Sequence, residues 1–445
     1  MKLSSVLPPK VKGVLRKAFK IAHRLLAPDF VRLHKYSADK RFLQLLAFAA
    51  IFDHEAAREW VRWALECRTK WLCKQGPLPL TNPEMKNLLV AVVREALAAQ
   101  HLDRPIMLGL SSGFDARPLM VALWSIGIRP NLYTFGQIGN LDYDLARILD
   151  RRLDLGVVFI DTSEEDWSLE LFEEVTSKTL DMPLSPRILV ERTMARLHGP
   201  FLDVQGHLNR PLTGGTDPDT IEPGWDGARR TFARRNDWFS FQHVFPRRLV
   251  LSLLPEKPPS QDPGLSHYRQ LDLGYRQRQR IRPTATSAQA LALPYETERW
   301  VGHWLAASDF EKQGQRRWLG FVKTLDTKVF FDMASLTEET RQEIDAARIA
   351  KFYNACGRPI SVSKTDPQKV LAPPHGHFSL FACYQNNQSF RKLVHEVIRR
   401  LDGRGVFDRS FTRSVFDNFV SGSWRGQQML TGLLTVDVAI EVGRI

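Results

Sequence analysis

Ile106-Met107-Leu108-Gly109-Leu110-Ser111-Ser112-Gly113-Phe114-Asp115-Ala116-Arg117-Pro118 is the stretch that decides the fold. Residues 106–110 form an apolar run of strand length, and small polar residues follow before Pro118 opens a helix. Small residues at a strand-to-helix turn let backbone N–H groups approach an anion, and the helix N-terminus adds partial positive charge. The layout is that of a phosphate cradle. A carboxylate beside bound phosphates, here Asp115, is the oxygen ligand that Mg2+ prefers.

Strand and helix signals alternate on both sides of this turn. The spacing predicts helices over 83–99, 118–126, 142–153 and 185–197, and strands over 106–110, 132–135, 157–160 and 201–204. Such alternation builds a parallel sheet with helices on both faces, and ligands bind at the carboxyl ends of its strands. The expected fold class is α/β, Rossmann-like. Residues 1–80 read as a basic helical segment, ended by Gly76-Pro77-Leu78-Pro79. Strand signals fade past residue 215, and helical spacing over 296–306, 316–325, 337–353, 389–401 and 411–420 predicts a helical remainder. Three segments are expected: 1–80, an α/β nucleotide-binding core over 81–250, and a helical part over 251–445.

At 445 residues, the chain exceeds the ~250–300 residues at which a single core stops growing. Its 43% hydrophobic and 25% charged residues exclude the disordered and fibrous classes. Cys67, Cys73, Cys356 and Cys383 have neither zinc nor redox spacing, so a reducing cytoplasm is the expected compartment. The longest apolar run, 42–52, is far short of the ~20 residues needed to span a bilayer, and no secretory signal is read at the N-terminus. A net charge of +13 favours phosphate-bearing partners. Lys12, Arg16, Lys20 and Arg24 recur every fourth residue, so residues 10–26 read as a helix with a basic face. Packing with that face solvated is preferred over peripheral contact with a membrane surface.

Neither a Walker A nor a dinucleotide glycine pattern is present. Gly109-Leu110-Ser111-Ser112-Gly113 satisfies G-x-S-x-G, the nucleophile elbow of α/β-hydrolases, with Ser111 as nucleophile. That fold needs several strands before the elbow, whereas the preceding hundred residues read as helical. A second glycine-rich stretch, from Gly206 to Gly215, follows the strand over 201–204 and contains Asn209. Arg276, Arg278 and Arg280 form a basic run suited to phosphate, and Arg317 and Lys323 are further cations. His375-Gly376-His377 has no third ligand at metal spacing and reads as a loop.

Ser111-Ser112-Gly113-Phe114-Asp115-Ala116 resembles the S-G-G-x-D-S pyrophosphate loop of the asparagine synthase-like ATP pyrophosphatases, which include asparagine synthetase, β-lactam synthetase and lasso-peptide cyclases. Tyr133-Thr134-Phe135-Gly136 is similar to that family's second strand, and Gly206 to Gly215 to its second glycine motif. The resemblance spans roughly residues 84–445. It implies an adenine nucleotide α-hydrolase-like sheet, with ATP and Mg2+ as cofactors. Leu110, Ser111, Ser112, Gly113, Phe114, Asp115, Ala116, Gly206 and Asn209 would hold the phosphates, and Thr134, Phe135 and Gly136 would face the adenine. Asp115 and Asp217 would bind metal, and Arg278 or Lys323 would offset charge as pyrophosphate leaves.

The implied activity is an AMP-forming ligase or amidotransferase. It would adenylate a small-molecule or peptide carboxylate and then form an amide, in a natural-product or cell-surface-polymer pathway. Met1-Lys2 replaces the family's N-terminal catalytic cysteine, so the expected nitrogen source is free ammonia, a separate amidase or an amine on the substrate. Ser112, Ala116 and Asn209 stand where the family has glycine, serine and aspartate. These departures support an alternative, a catalytically weak nucleotide-binding or scaffold protein of the same fold. A tRNA-modifying role would need a cysteine pair near the loop and a recognised RNA module; neither is found, so nucleic acid is not an expected partner.

Overall fold

A computed structural model describes residues 40–48, 50–76, 79–100, 103–111, 113–137, 141–162, 164–178, 187–215, 221–236, 247–283, 285, 288–326, 329, 380–422 and 424–443. Helices α1 (Lys40–Phe48), α2 (His54–Gln75) and α3 (Asn82–Ala98) precede the sheet. Asp53 caps α2 by accepting the Glu55 and Ala56 N–H groups, and Thr81 with Glu84 forms a capping box at α3. Then follow β1 (Ile106–Gly109), α4 (Ala116–Ser125), β2 (Asn131–Gly136), α5 (Leu141–Leu153), β3 (Val158–Asp161), α6 (Leu169–Lys178), α7 (Arg187–His198) and β4 (Phe201–Val204). Beyond them lie α8 (Gly224–Asn236), a π-helix (Asp272–Ile281), β5 (Gln289–Ala292), α9 (Glu298–Ala306), α10 (Arg316–Val322), α11 (Gln388–Arg404), α12 (Arg409–Val420) and α13 (Trp424–Glu441).

The five strands pair in the order β3-β2-β1-β4-β5, every neighbour parallel. Alternating side chains sort the sheet into two covered faces. Leu108, Leu132 and Leu202 join Leu88, Leu89 and Val92 of α3 and Leu119 and Leu123 of α4 on one face. Met107, Tyr133 and Phe201, each one residue out of phase, meet Val190 and Met194 of α7 on the other. The molecule is an α/β protein with a Rossmann-like parallel sheet flanked by helices. A second core joins Phe42 and Phe48 of α1 to Phe232 of α8 and to the C-terminal helices through Phe390, Phe411 and Leu433. There Asp437, fully buried, holds Arg400 and Arg404 at 3.2 and 2.6 Å.

The four expected strands are present. The expectation of a wholly helical region after residue 250 is corrected by β5, whose backbone completes the sheet beside β4. It escapes a sequence reading because Gln289-Ala290-Leu291-Ala292 has no β-branched or aromatic residue. The helices expected over 10–26 and 337–353, Cys356, and His375 with His377 lie outside the described residues. Among the described residues, no helix is long and apolar enough to cross a membrane.

His303 on α9 is buried against Trp71 and Trp304, and burial, helped by the charge of Arg317, pushes its pKa down to about 3. An unfolded histidine titrates near 6.5, so the stability tied to a neutral His303 is complete above that pH. It is lost as pH falls toward 3, by up to about 1.4 kcal/mol per pH unit. Urea melts between pH 4 and 7 are expected to show a shallower acid loss for His303→Gln than for wild type. Parallel curves would show that His303 does not carry this dependence.

Candidate functional site

The strand order reverses between β1 and β4, and the carboxyl ends of strands at such a switch point are the usual ligand seat of an open parallel sheet. Beneath it the central strands are tied by polar side chains. A Cβ on Gly109 would lie 3.1 Å from the Tyr133 ring, so glycine in β1 lets this β2 tyrosine cross to β4. There Tyr133 donates its hydroxyl to Asp203 at 3.0 Å, and Gln205 and Gln289 each donate to the same fully buried carboxylate at 2.6 Å. This network was not anticipated; a glycine inside a strand pattern was its one sequence signal.

In the β1 loop, the Leu110 N–H donates to the Tyr133 carbonyl at 2.7 Å, and the Gly113 N–H donates to Ser111 Oγ at 3.1 Å. Ser112 lies outside the described residues. Buried Arg117 braces the loop, donating to the carbonyls of Gly113 and Val329 at 3.2 and 3.0 Å while its guanidinium covers the Phe114 ring. Ser111 has no positive φ, and α4 starts only at Ala116. An elbow would set its serine on a strained turn directly into the helix.

The β4 loop closes onto the β1 loop. A Cβ on Gly206 would stand 2.9 Å from Asp115 Cβ, so only glycine allows this approach. Asn209, fully buried, donates its amide to Asp115 Oδ1 at 2.7 Å and accepts the indole N–H of Trp300 at 3.2 Å. The indole can only donate, which fixes the amide orientation. Tyr295 donates to the Asp115 carbonyl at 2.9 Å. Leu208 holds φ at 74°, a costly left-handed conformation for a branched apolar residue. Burial between the loops pushes the Asp115 carboxyl above the usual carboxylate range, opposed by the Asn209 hydrogen bond and the Arg210 charge.

These residues do not fit Mg2+. The Asp115 carboxylate accepts from an amide, the Asn209 oxygen is taken by Trp300, and no group of three or more His, Cys, Asp or Glu able to hold a metal occurs among the described residues. Asp217 lies outside them. On β2, Thr134 is buried and its hydroxyl has no hydrogen-bond partner among the described residues. Phe135 is partly buried, and Gly136 accepts from Thr162.

The structure thus brings Asp115, Gly206 and Asn209 together. Arg278 is half-buried between the charges of Arg282 and Glu296, and burial lowers its pKa. Arg317 is committed to Glu311 and the Leu80 carbonyl, and Lys323 is exposed at the end of α10. Tyr295 and Trp300 fasten the two loops from outside both glycine-bearing stretches. The sequence matches no protein-family model and no curated protein.

Proposed function

We propose that this chain binds an adenine nucleotide at the switch point between β1 and β4 and uses it to activate a substrate carboxylate. The sheet would then belong to the adenine nucleotide α-hydrolase-like class. The observation that carries this reading is the meeting of the two glycine-bearing loops, at Asp115 and Gly206, where the strand order reverses. The orphaned hydroxyl of Thr134 supports an adenine edge over β2. Ser111, Gly113 and the N-terminus of α4 would face the phosphates, with Arg278 or Lys323 offsetting charge as pyrophosphate leaves. A carboxylate oxygen attacks the α-phosphorus and expels pyrophosphate; an amine then attacks the acyl-adenylate, expels AMP and leaves an amide. A cytoplasmic location and a role in building a natural product or surface polymer belong to the same proposal.

A specific observation favours a second reading, nucleotide binding without turnover: the Asn209 amide occupies the carboxylate that would otherwise serve a metal. Isothermal titration with ATP and a non-hydrolysable analogue, with pyrophosphate release followed over mixtures of carboxylates and amines, separates the two. The ligase reading expects binding and release. Binding with no release under any mixture leaves the scaffold, and no binding of either nucleotide removes both.

A further inference from the structure

A cavity of about 370 Å³ opens on the far side of the β4 loop, walled by that loop, the end of α8 and the π-helix. The side chains that give it character are Arg210, Arg235 and Arg276, together with His207, Asn236 and Gln277. None of its described lining residues is a carboxylate. Arg276 has an ion partner, Asp272 at 3.2 Å, which stands outside the lining. Arg210 spends one N–H on the Gly215 carbonyl, and Arg235 is exposed. A further guanidinium stands at the wall, since Arg280 donates to the Asn236 carbonyl at 3.4 Å, and burial with the Arg276 charge holds its pKa below the usual arginine range.

Gathering guanidiniums costs mutual repulsion, and the groups that relieve it are oxyanions that accept paired N–H donors. The local backbone is unusual on two walls. Leu208 holds its left-handed φ on one. On the other, the i→i+5 bonding of the π-helix, visible in Arg282 N–H donating to the Gln277 carbonyl at 2.9 Å, sets Arg276, Gln277 and Ile281 on one face. Strained backbone and π-helical segments concentrate at ligand sites.

We infer that this cavity binds a small polyanion bearing phosphate or carboxylate groups, held by Arg210, Arg235 and Arg276 without a metal ion. The inference goes beyond the nucleotide reading and stands if ATP fails to bind.

Titration of the full chain, in buffer stripped of divalent metal by a chelating resin, with pyrophosphate and, separately, with citrate tests it. At least one is expected to bind with a Kd below about 1 mM, the tighter of the two naming phosphate or carboxylate as the source. Arg235→Gln, which removes an exposed charge, is expected to weaken binding at least tenfold with an unchanged melting temperature. Arg276→Gln is expected to do the same where it folds, and Arg399→Gln on α11 to leave affinity unaltered. Absence of binding by both anions, binding that requires Mg2+, or full affinity in Arg235→Gln overturns the inference.

Discussion

Asp203→Ala is expected to destabilise the protein by about 3–5 kcal/mol, because it removes the acceptor of two buried donors and one partly buried donor at roughly 1–3 kcal/mol each. Those donors, Tyr133, Gln205 and Gln289, come from β2, the end of β4 and β5, so the carboxylate ties together strands that are not all neighbours. Asp203→Asn keeps one oxygen and is expected to lose about half as much. Urea denaturation provides the measurement, and a cycle with Tyr133→Phe isolates the hydroxyl's share. An alanine variant within 1 kcal/mol of wild type would mean that water satisfies these donors and that the network does not hold the sheet.

Asn209→Asp is expected to change the metal response of the molecule. The new carboxylate would sit within hydrogen-bonding distance of Asp115, losing the amide donor and setting two like charges together in a buried place. A loss of about 2–4 kcal/mol is expected at neutral pH in EDTA. Millimolar Mg2+ should restore much of it, since the variant then offers paired carboxylates. Acid should also restore it: the pair's raised pKa makes its protonated form stable at low pH, and that stability fades as pH rises. Wild type should show no metal response and a smaller acid response, from the raised pKa of Asp115 alone. Thermal melts with and without Mg2+ decide the matter, and a variant as stable as wild type in EDTA with no shift on adding metal would contradict the reading.

The parallel core was legible because its signals are local. Apolar runs of strand length, Pro118 inside a helix start and Gly127 past its end are each complete within a dozen residues. The switch point itself was not legible, because it follows from β4 lying beside β1, a pairing across ninety-odd residues that no local pattern encodes. The π-helix hid for another reason. Its buried Leu273, Tyr275 and Gln277 do not recur at 3.6 residues, and Arg276, Arg278 and Arg280 read only as a basic run suited to phosphate. Asn209 was noticed as a departure from aspartate, but its effect needed Trp300, a helix ninety-one residues away, to fix the direction of its amide.

A side-chain amide, not a metal ion, joins the β1 and β4 loops. Such a latch carries no charge of its own and cannot be chelated away. The contact between the two loops therefore needs no ion to hold it.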